Sequence, residues 1–293
     1  MKVVGIGGGH GLAATLRAAR RYADDIAAVV TVADDGGSSG RLTREMGIPP
    51  PGDIRNCLVA LAGDDDLARL FQFRFEHGPL TGHALGNLVI AALSEQLGDF
   101  ARAVARAGEL LGARGRVFPA TTELVELAAR TPGGEVEGQV AVAQTSAPIE
   151  RVYLSPADPV AHGPAVDAIL AADQIVLGPG SLFTSLIATL LVPGISDAVR
   201  SAPGYRVFVG NNRQQKGETE GMSAAEHLAA LMRHVGRAVD AMVIQEPVGP
   251  DGVAIDAAEI AEMGVRVVTA DVTAADGTHD PERLAGALST LVR

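Results

Sequence analysis

Tryptophan is absent from the 293 residues, aromatic residues make up 3%, and cysteine occurs once. A single cysteine, Cys57, excludes an intrachain disulfide and fits a reducing compartment. It lies in the apolar run "NCLVALAG", where a small buried side chain is expected rather than a nucleophile. Lysine is nearly missing too: Lys2 and Lys216 are the only two, and alongside abundant alanine this reads as coding bias. The formal net charge is −11, with no basic run to compensate locally. That excludes general nucleic-acid binding, which needs clustered Lys and Arg. No apolar stretch reaches the ~18–20 residues that cross a bilayer. The start "MKVVGIGGGH" enters a strand instead of an apolar leader. A soluble, cytoplasmic protein without membrane insertion is expected.

What is present is 47% hydrophobic and 20% charged, enough for one large core or a core with a smaller lobe. "KVVGI" and "IAAVVTV" are short apolar runs of the buried parallel-strand kind, and the segment between them places Leu12, Leu16 and Ala19 at helical spacing. Together they predict a right-handed βαβ unit. After "PPPGD" the chain reads as helical, with Phe71 and Phe75 expected one turn apart as a packing pair. From "RVFPATTELVELAAR" to "VYLSP" it shifts to short strands and turns, as in a small cap lobe. Strand–helix alternation then resumes to the closing "PERLAGALSTLV". The expectation is a doubly wound, mostly parallel, Rossmann-like α/β sheet with a helical middle segment and a small cap lobe. A single domain over residues 1–293 would carry an inserted helical or cap region around 98–160.

Polar residues follow each strand. They are Gly7-Gly8-Gly9-His10-Gly11, then Asp34 to Arg41, then Gly178-Pro179-Gly180-Ser181, then Asn211 to Thr219, then Gln245-Glu246. In an open parallel sheet such loops share one edge, and ligands bind where strand order reverses.

The first loop suits a phosphate, because glycines let backbone approach closely and the following helix presents N–H groups with a partial positive charge. A tight structural turn would read the same way, since the spacing is not a strict G-x-G-x-x-G. His10 either touches a phosphate or faces solvent. "GPGS" offers a second helix start, with Ser181 as cap or ligand contact. "GHALGN" brings His83, Gly86 and Asn87 to another. In "TVADDGGSSGRL", Asp34 or Asp35 would meet ribose hydroxyls or hold Mg²⁺ beside phosphate oxygens. Gly36, Gly37, Ser38 and Ser39 supply donors, and Arg41 would clamp an anion. An exposed turn is the bland alternative. "PPPGDIRN" adds Asp53, Arg55 and Asn56 at a helix start.

These stretches, with "TGHALGNLVIAAL", "LGPGSLFTSLIATLL" and "NNRQQKGETEGMSAAEHLAAL", resemble the gluconeogenesis-factor (YvcK-like) branch of the 2-phospho-L-lactate transferase-like (CofD-like) superfamily. The resemblance runs from residue 5 to about residue 231. It implies a Rossmann-like fold and a nucleotide-bearing ligand. In the regulatory branch that ligand is UDP-N-acetylglucosamine, and the branch is associated with growth on gluconeogenic carbon sources, cell shape and cell-wall synthesis. In the transferase branch a phospholactyl group moves from a guanosine diphosphate donor to a deazaflavin with Mg²⁺. "DDGGSSGRL" with "PPGDIRN" looks like the regulatory branch. Here His10 stands where a threonine is expected, and no tyrosine follows Tyr205, so a family contact from an aromatic or an arginine in the C-terminal part is assigned to no residue of this sequence.

The leading expectation is a nucleotide-sugar-binding regulator. Gly7, Gly8, Gly9 and Gly11 would cradle the diphosphate; Ser181 and Asn211, with Gly178 and Gly180, would line the wall. A transferase using Asp34, Asp35, Asp53 and Mg²⁺ is the competing reading. A nicotinamide oxidoreductase fits poorly, for want of regular glycine spacing and a hydride-site arrangement. Architectures of this kind often pair, so a homodimer is expected, with any regulatory protein partner unidentified.

Overall fold

The computed structural model describes residues 1–292. Seven parallel strands form the main sheet: β1 (Lys2–Gly7), β2 (Asp25–Val30), β3 (Arg116–Pro119), and later β7 (Gln174–Leu177), β8 (Tyr205–Val209), β9 (Ala241–Gln245) and β10 (Arg266–Ala270). Their spatial order is β10-β9-β8-β7-β1-β2-β3. Between them, β4 (Glu126–Thr131), β5 (Gly134–Glu137) and β6 (Arg151–Ser155) make a separate antiparallel sheet in the order β5-β4-β6. The fold is thus a mostly parallel, doubly wound α/β sheet.

The strands read as unbroken apolar runs because helices cover both faces. Side chains of β1 and β2 alternate between two cores. Val4, Ile6, Ala27 and Val29 face one, with the buried Leu182–Leu190 segment and the helix Ala224–Val235. Val3, Ile26, Ala28 and Val30 face the other. There they meet helices α1 (Gly9–Ala19), α3 (Gly52–Leu61) and α6 (Phe100–Leu110), through Leu12, Leu16, Leu58 and Val104. Each fully buried leucine contributes about 1.5–3 kcal/mol relative to leaving it exposed. Cys57 is fully buried in this second core.

The remaining helices of the middle segment are α2 (Gly37–Met46), α4 (Asp65–Gln72) and α5 (Leu85–Leu97). Asp64 caps α4 by accepting the N–H groups of Asp66 and Leu67, and Asp99 caps α6 through Arg102. One packing expectation fails here. Because α4 stops at Gln72, Phe71 is buried while Phe75 instead stacks edge-on with Phe73, ring centroids 5.2 Å apart. Residues 98–160 hold α6, the main-sheet strand β3 and the small antiparallel sheet.

β1 pairs with β2 on one side and β7 on the other. The chain leaves β1 toward β3 and returns to β7, so direction reverses between β1 and β7. The loops after these two strands therefore flank the crevice where such sheets take ligands. Among the described residues no single helix is long and apolar enough to cross a membrane.

Candidate functional site

The loop after β1 turns directly into α1, whose N-cap is Gly8 and whose first turn carries no acid and no side-chain cap. Two adjacent glycines have different reasons to be there. A Cβ on Gly8 would overlap Asp53 Oδ2 and stand 2.8 Å from Thr31 Cγ2, so protein packs against it. Gly9 has φ +63° and nothing within 4 Å of a Cβ position, so its left-handed turn faces open space. Gly7 and Gly8 are buried and His10 is exposed.

On the β7 side, a Cβ on Gly180 would stand 3.3 Å from the carbonyl oxygen of Gly8, and a Cβ on Gly7 would stand 3.9 Å from Cα of Gly178. Gly180 N–H donates to Asn211 Oδ1 at 3.3 Å. Asn211 Nδ2 donates to Gln215 Oε1 at 2.9 Å, and Gln215 Nε2 donates to Ser181 Oγ at 3.1 Å. The loops after β1, β7 and β8 are thus stitched together at one rim. The second helix start is occupied from within the chain. Glu218 Oε2 accepts the N–H of Phe183 at 3.1 Å, and its Oε1 accepts the Thr184 hydroxyl. Burial raises the Glu218 pKa, and these donors oppose the rise.

On the β2 side, Asp53 reaches the glycine loop from α3 and accepts the Gly9 N–H. Burial, then repulsion from Asp34, pushes its pKa up to about 6, while Gly9 and Arg55 pull it down. Asp34 is also raised, chiefly by burial, although Gly36 N–H donates to its Oδ1 at 3.0 Å and Ser39 bonds it as well. Ser39 Oγ accepts the Gly52 N–H at 3.1 Å, tying the α2 start to the α3 start. Asp35 turns away from this pair: its Oδ1 accepts the Val140 N–H at 3.0 Å and so anchors the small sheet's segment.

Five of the expected ligand residues meet one another inside the protein. Ser38 Oγ lies 2.9 Å from His83 Nδ1 and accepts from Asn87 Nδ2 at 3.0 Å. Arg55 donates to Asn87 Oδ1 at 3.1 Å and to Asn56 Oδ1 at 2.7 Å. All five are buried, and burial lowers the His83 and Arg55 pKa values, that of Arg55 to about 10. Arg41 donates to the Thr81 carbonyl at 2.7 Å, and a Cβ on Gly37 would meet nothing within 4 Å.

Two cavities flank the rim. One, of about 490 Å³, touches His10, Gly11, Gly180, Asn211 and Asn212 beside α1. The other, of about 400 Å³, lies between Asp34, Asp35, Arg44 and Glu126. A larger cavity of about 840 Å³, lined by Glu45, Asp99 and His162, touches none of the expected site residues. Among the described residues no three His, Cys, Asp or Glu side chains gather as a metal cage. Gln215, Glu218 and Asn212 were not singled out from sequence. All three lie in "NNRQQKGET", where the density of amides and acids is the available signal.

Comparison with known proteins agrees with this architecture. A crystal structure of a UPF0052-family protein from Bacillus halodurans superposes with a TM-score of 0.94 at 39% identity, covering 98% of both chains. A gluconeogenesis factor of Bacillus subtilis is 40% identical over 313 aligned positions, covering 100% of this chain and 98% of its own. Another from Halalkalibacterium halodurans is 45% identical over 251, covering 84% of this chain and 78% of its own. The family model described as 2-phospho-L-lactate transferase CofD matches residues 3–273, and with these relatives it establishes that the chain belongs to that family, in the group that includes gluconeogenesis factors.

Proposed function

We propose that the protein is a nucleotide-sugar-binding regulator whose ligand is a UDP-sugar of the UDP-N-acetylglucosamine kind. One observation carries the reading: the α1 start, where Gly9 faces open space, borders one cavity at His10 and Gly11, and Asp53 beside it interacts with Asp34, which lines the second. A nucleotide-sugar has the matching three-part form, a diphosphate with a bulky group at each end. The diphosphate takes the helix start, where N–H groups and the dipole favour negative charge. At the competing helix start Glu218 takes the N–H groups of Phe183 and Thr184, whereas at α1 Asp53 takes the Gly9 N–H and the phosphate would use the first-turn N–H groups of His10 and Gly11. Asp34 and Asp53 meet the hydroxyls of a sugar, or Mg²⁺ brought in with the diphosphate, since Mg²⁺ binds through one or two carboxylates and phosphate oxygens. A cation there would offset the cost of burial that raises both pKa values, and the repulsion that Asp53 feels from Asp34 and Asp34 from Asp35. The relatives' name supports a role in growth on gluconeogenic carbon sources, and control of cell shape and cell-wall synthesis belongs to the same reading.

Calorimetry with UDP-N-acetylglucosamine, with and without Mg²⁺, tests it. Saturable binding without turnover is expected, and no heat with any uridine nucleotide at millimolar concentration would sink the proposal. The family description and the Asp34–Asp53 pair favour a second reading, a phosphate-linked group transferase. Release of nucleoside monophosphate from a nucleoside diphosphate donor on addition of a flavin-like acceptor would select that reading instead.

A further inference from the structure

The cavity of about 840 Å³ carries charge of one sign. Two helices end on it. α2 gives way to Gly47 (φ +65°) and α5 to Gly98 (φ +63°), and a Cβ on either glycine would meet nothing within 4 Å. The last carbonyls of both helices bring partial negative charge to this space. Glu45 and Glu95 stand in those last turns, where the dipole disfavours an acid, and α5 has no basic residue there to compensate. Asp99 adds a third carboxylate, whose Oδ1 accepts the Arg102 N–H at 2.9 Å. No lysine or arginine lines the cavity, and among the described residues none of the three carboxylates is in an ion pair.

Acids on a surface usually need only water, but Ser94 sets this cavity apart. It is 6% exposed and lines the cavity, and its hydroxyl has no hydrogen-bond partner among the described residues. Because Oγ is not one of the sealed, unpaired polar atoms, it opens into the cavity. A buried hydroxyl left in that condition carries a desolvation cost that a ligand donor would remove.

The lining describes that ligand. Carboxylates, helix carbonyls and a hydroxyl oxygen all accept, so the ligand donates and is positive. The acids do not gather as a metal cage, and the space far exceeds a single ion. An ammonium or guanidinium group, with N–H donors in several directions, suits it. Its carbon chain also has a place. An adjoining cavity of about 510 Å³ shares Asp99, Ala101 and His162 and is walled by Leu58, Val104 and Phe118. The His162 ring lies 5.9 Å from that of Phe118, and burial, opposed by Asp99, lowers its pKa. A neutral imidazole there does not repel a cation.

We propose that the cavity between the ends of α2 and α5 and the start of α6 binds an organic cation, an alkylammonium or guanidinium group. Glu45, Glu95 and Asp99 hold the charge, Ser94 accepts a hydrogen bond, and the carbon chain runs toward Phe118. Such a group arrives free, as a polyamine, or as the arginine side chain of a peptide. The site is separate from the α1 start and does not rest on the nucleotide-sugar reading.

The test is calorimetry at about 0.15 M salt, which screens diffuse attraction to a chain of net charge −11. Spermidine and an end-blocked alanine–arginine–alanine peptide are titrated separately. Saturable binding at one site is expected for at least one of them. Tighter binding of spermidine marks a free polyamine, and tighter binding of the peptide marks a protein partner. Glu45→Gln combined with Glu95→Gln is expected to bind at least tenfold more weakly, and Ser94→Ala about tenfold more weakly. Both should melt at or above the wild-type temperature, since each removes groups the fold leaves uncompensated. Glu259→Gln combined with Glu262→Gln, on the helix Ala257–Glu262, changes net charge equally and should bind as wild type does. Binding of neither probe, an equal loss in the Glu259 and Glu262 variant, wild-type affinity in either cavity variant, or a lowered melting temperature for either would each overturn the assignment.

Discussion

Glu218 Oε2 accepts the backbone N–H of Phe183 at 3.1 Å across 35 residues of sequence. A carboxylate supplied by the loop after β8 thus sits on a helix start after β7, in the place an anion would otherwise take. Glu218→Ala leaves two N–H groups and the Thr184 hydroxyl without their acceptor and unpins the loop that carries Gln215. A loss of about 2–3 kcal/mol is expected, visible as a melting temperature roughly 4–10 °C lower. Millimolar acetate or phosphate should restore part of this in Glu218→Ala and leave wild type unchanged. Equal responses in the two proteins would show that the site is not an anion seat.

Gly8 and Gly9 should separate stability from binding. Gly8→Ala drives a methyl group into Asp53 and Thr31, and overpacking of that kind costs about 1–3 kcal/mol. Gly9→Ala meets no neighbour and suffers only the left-handed backbone strain, about 1–2 kcal/mol. Its methyl group, however, projects where the diphosphate is placed. Thermal unfolding should rank Gly8→Ala as the less stable, while Gly9→Ala should lose at least tenfold in UDP-sugar affinity. Retained affinity in Gly9→Ala would move the phosphates away from α1.

Much of the fold was legible because β1 and β2 are buried on both faces, and a strand with two covered faces must be apolar throughout. The convergence of the loops after β1, β7 and β8 followed from parallel topology alone. What sequence could not show was where polar groups find partners. Ser38, His83 and Asn87 carry the donors and acceptors a ligand site needs, yet they satisfy one another within a buried network. Asp35 looks like a twin of Asp34, but one of its oxygens accepts the N–H of Val140, 105 residues away. Asn212 differs from Asn211 only in the direction that packing gives its side chain, and a polar loop has no periodicity from which to read that direction.

The buried network makes its own prediction. Ser38→Ala removes the partner of both His83 Nδ1 and Asn87 Nδ2. It should destabilise by about 1–3 kcal/mol in urea unfolding, the cost of orphaning buried polar groups. Asn87→Ala breaks the same chain at its link to Arg55. The double variant should therefore fall short of the sum of the singles by about 0.5 kcal/mol or more, as residues sharing a hydrogen bond do. Strict additivity would mean that the two side chains act separately.

Asp53 sets a pH dependence whose sign follows from its environment. Its folded pKa of about 6 lies above the ordinary aspartate value, chiefly through burial and secondly through Asp34. Between about pH 4 and pH 6 the folded state therefore holds a proton that the unfolded chain has released. The associated stability is fully present below about pH 4 and is lost as pH rises through about 6, a change of about 1–3 kcal/mol. Asp53→Asn keeps an oxygen for the Gly9 N–H but cannot ionise. Its melting temperature should exceed wild type at pH 7 and converge with it near pH 4. The buried charge that lowers stability at neutral pH is the one placed to meet Mg²⁺ or a sugar hydroxyl, so Asp53→Asn should also weaken UDP-sugar binding at pH 7. A constant difference in melting temperature between the two proteins from pH 4 to pH 7 would show that Asp53 titrates as an ordinary surface carboxylate.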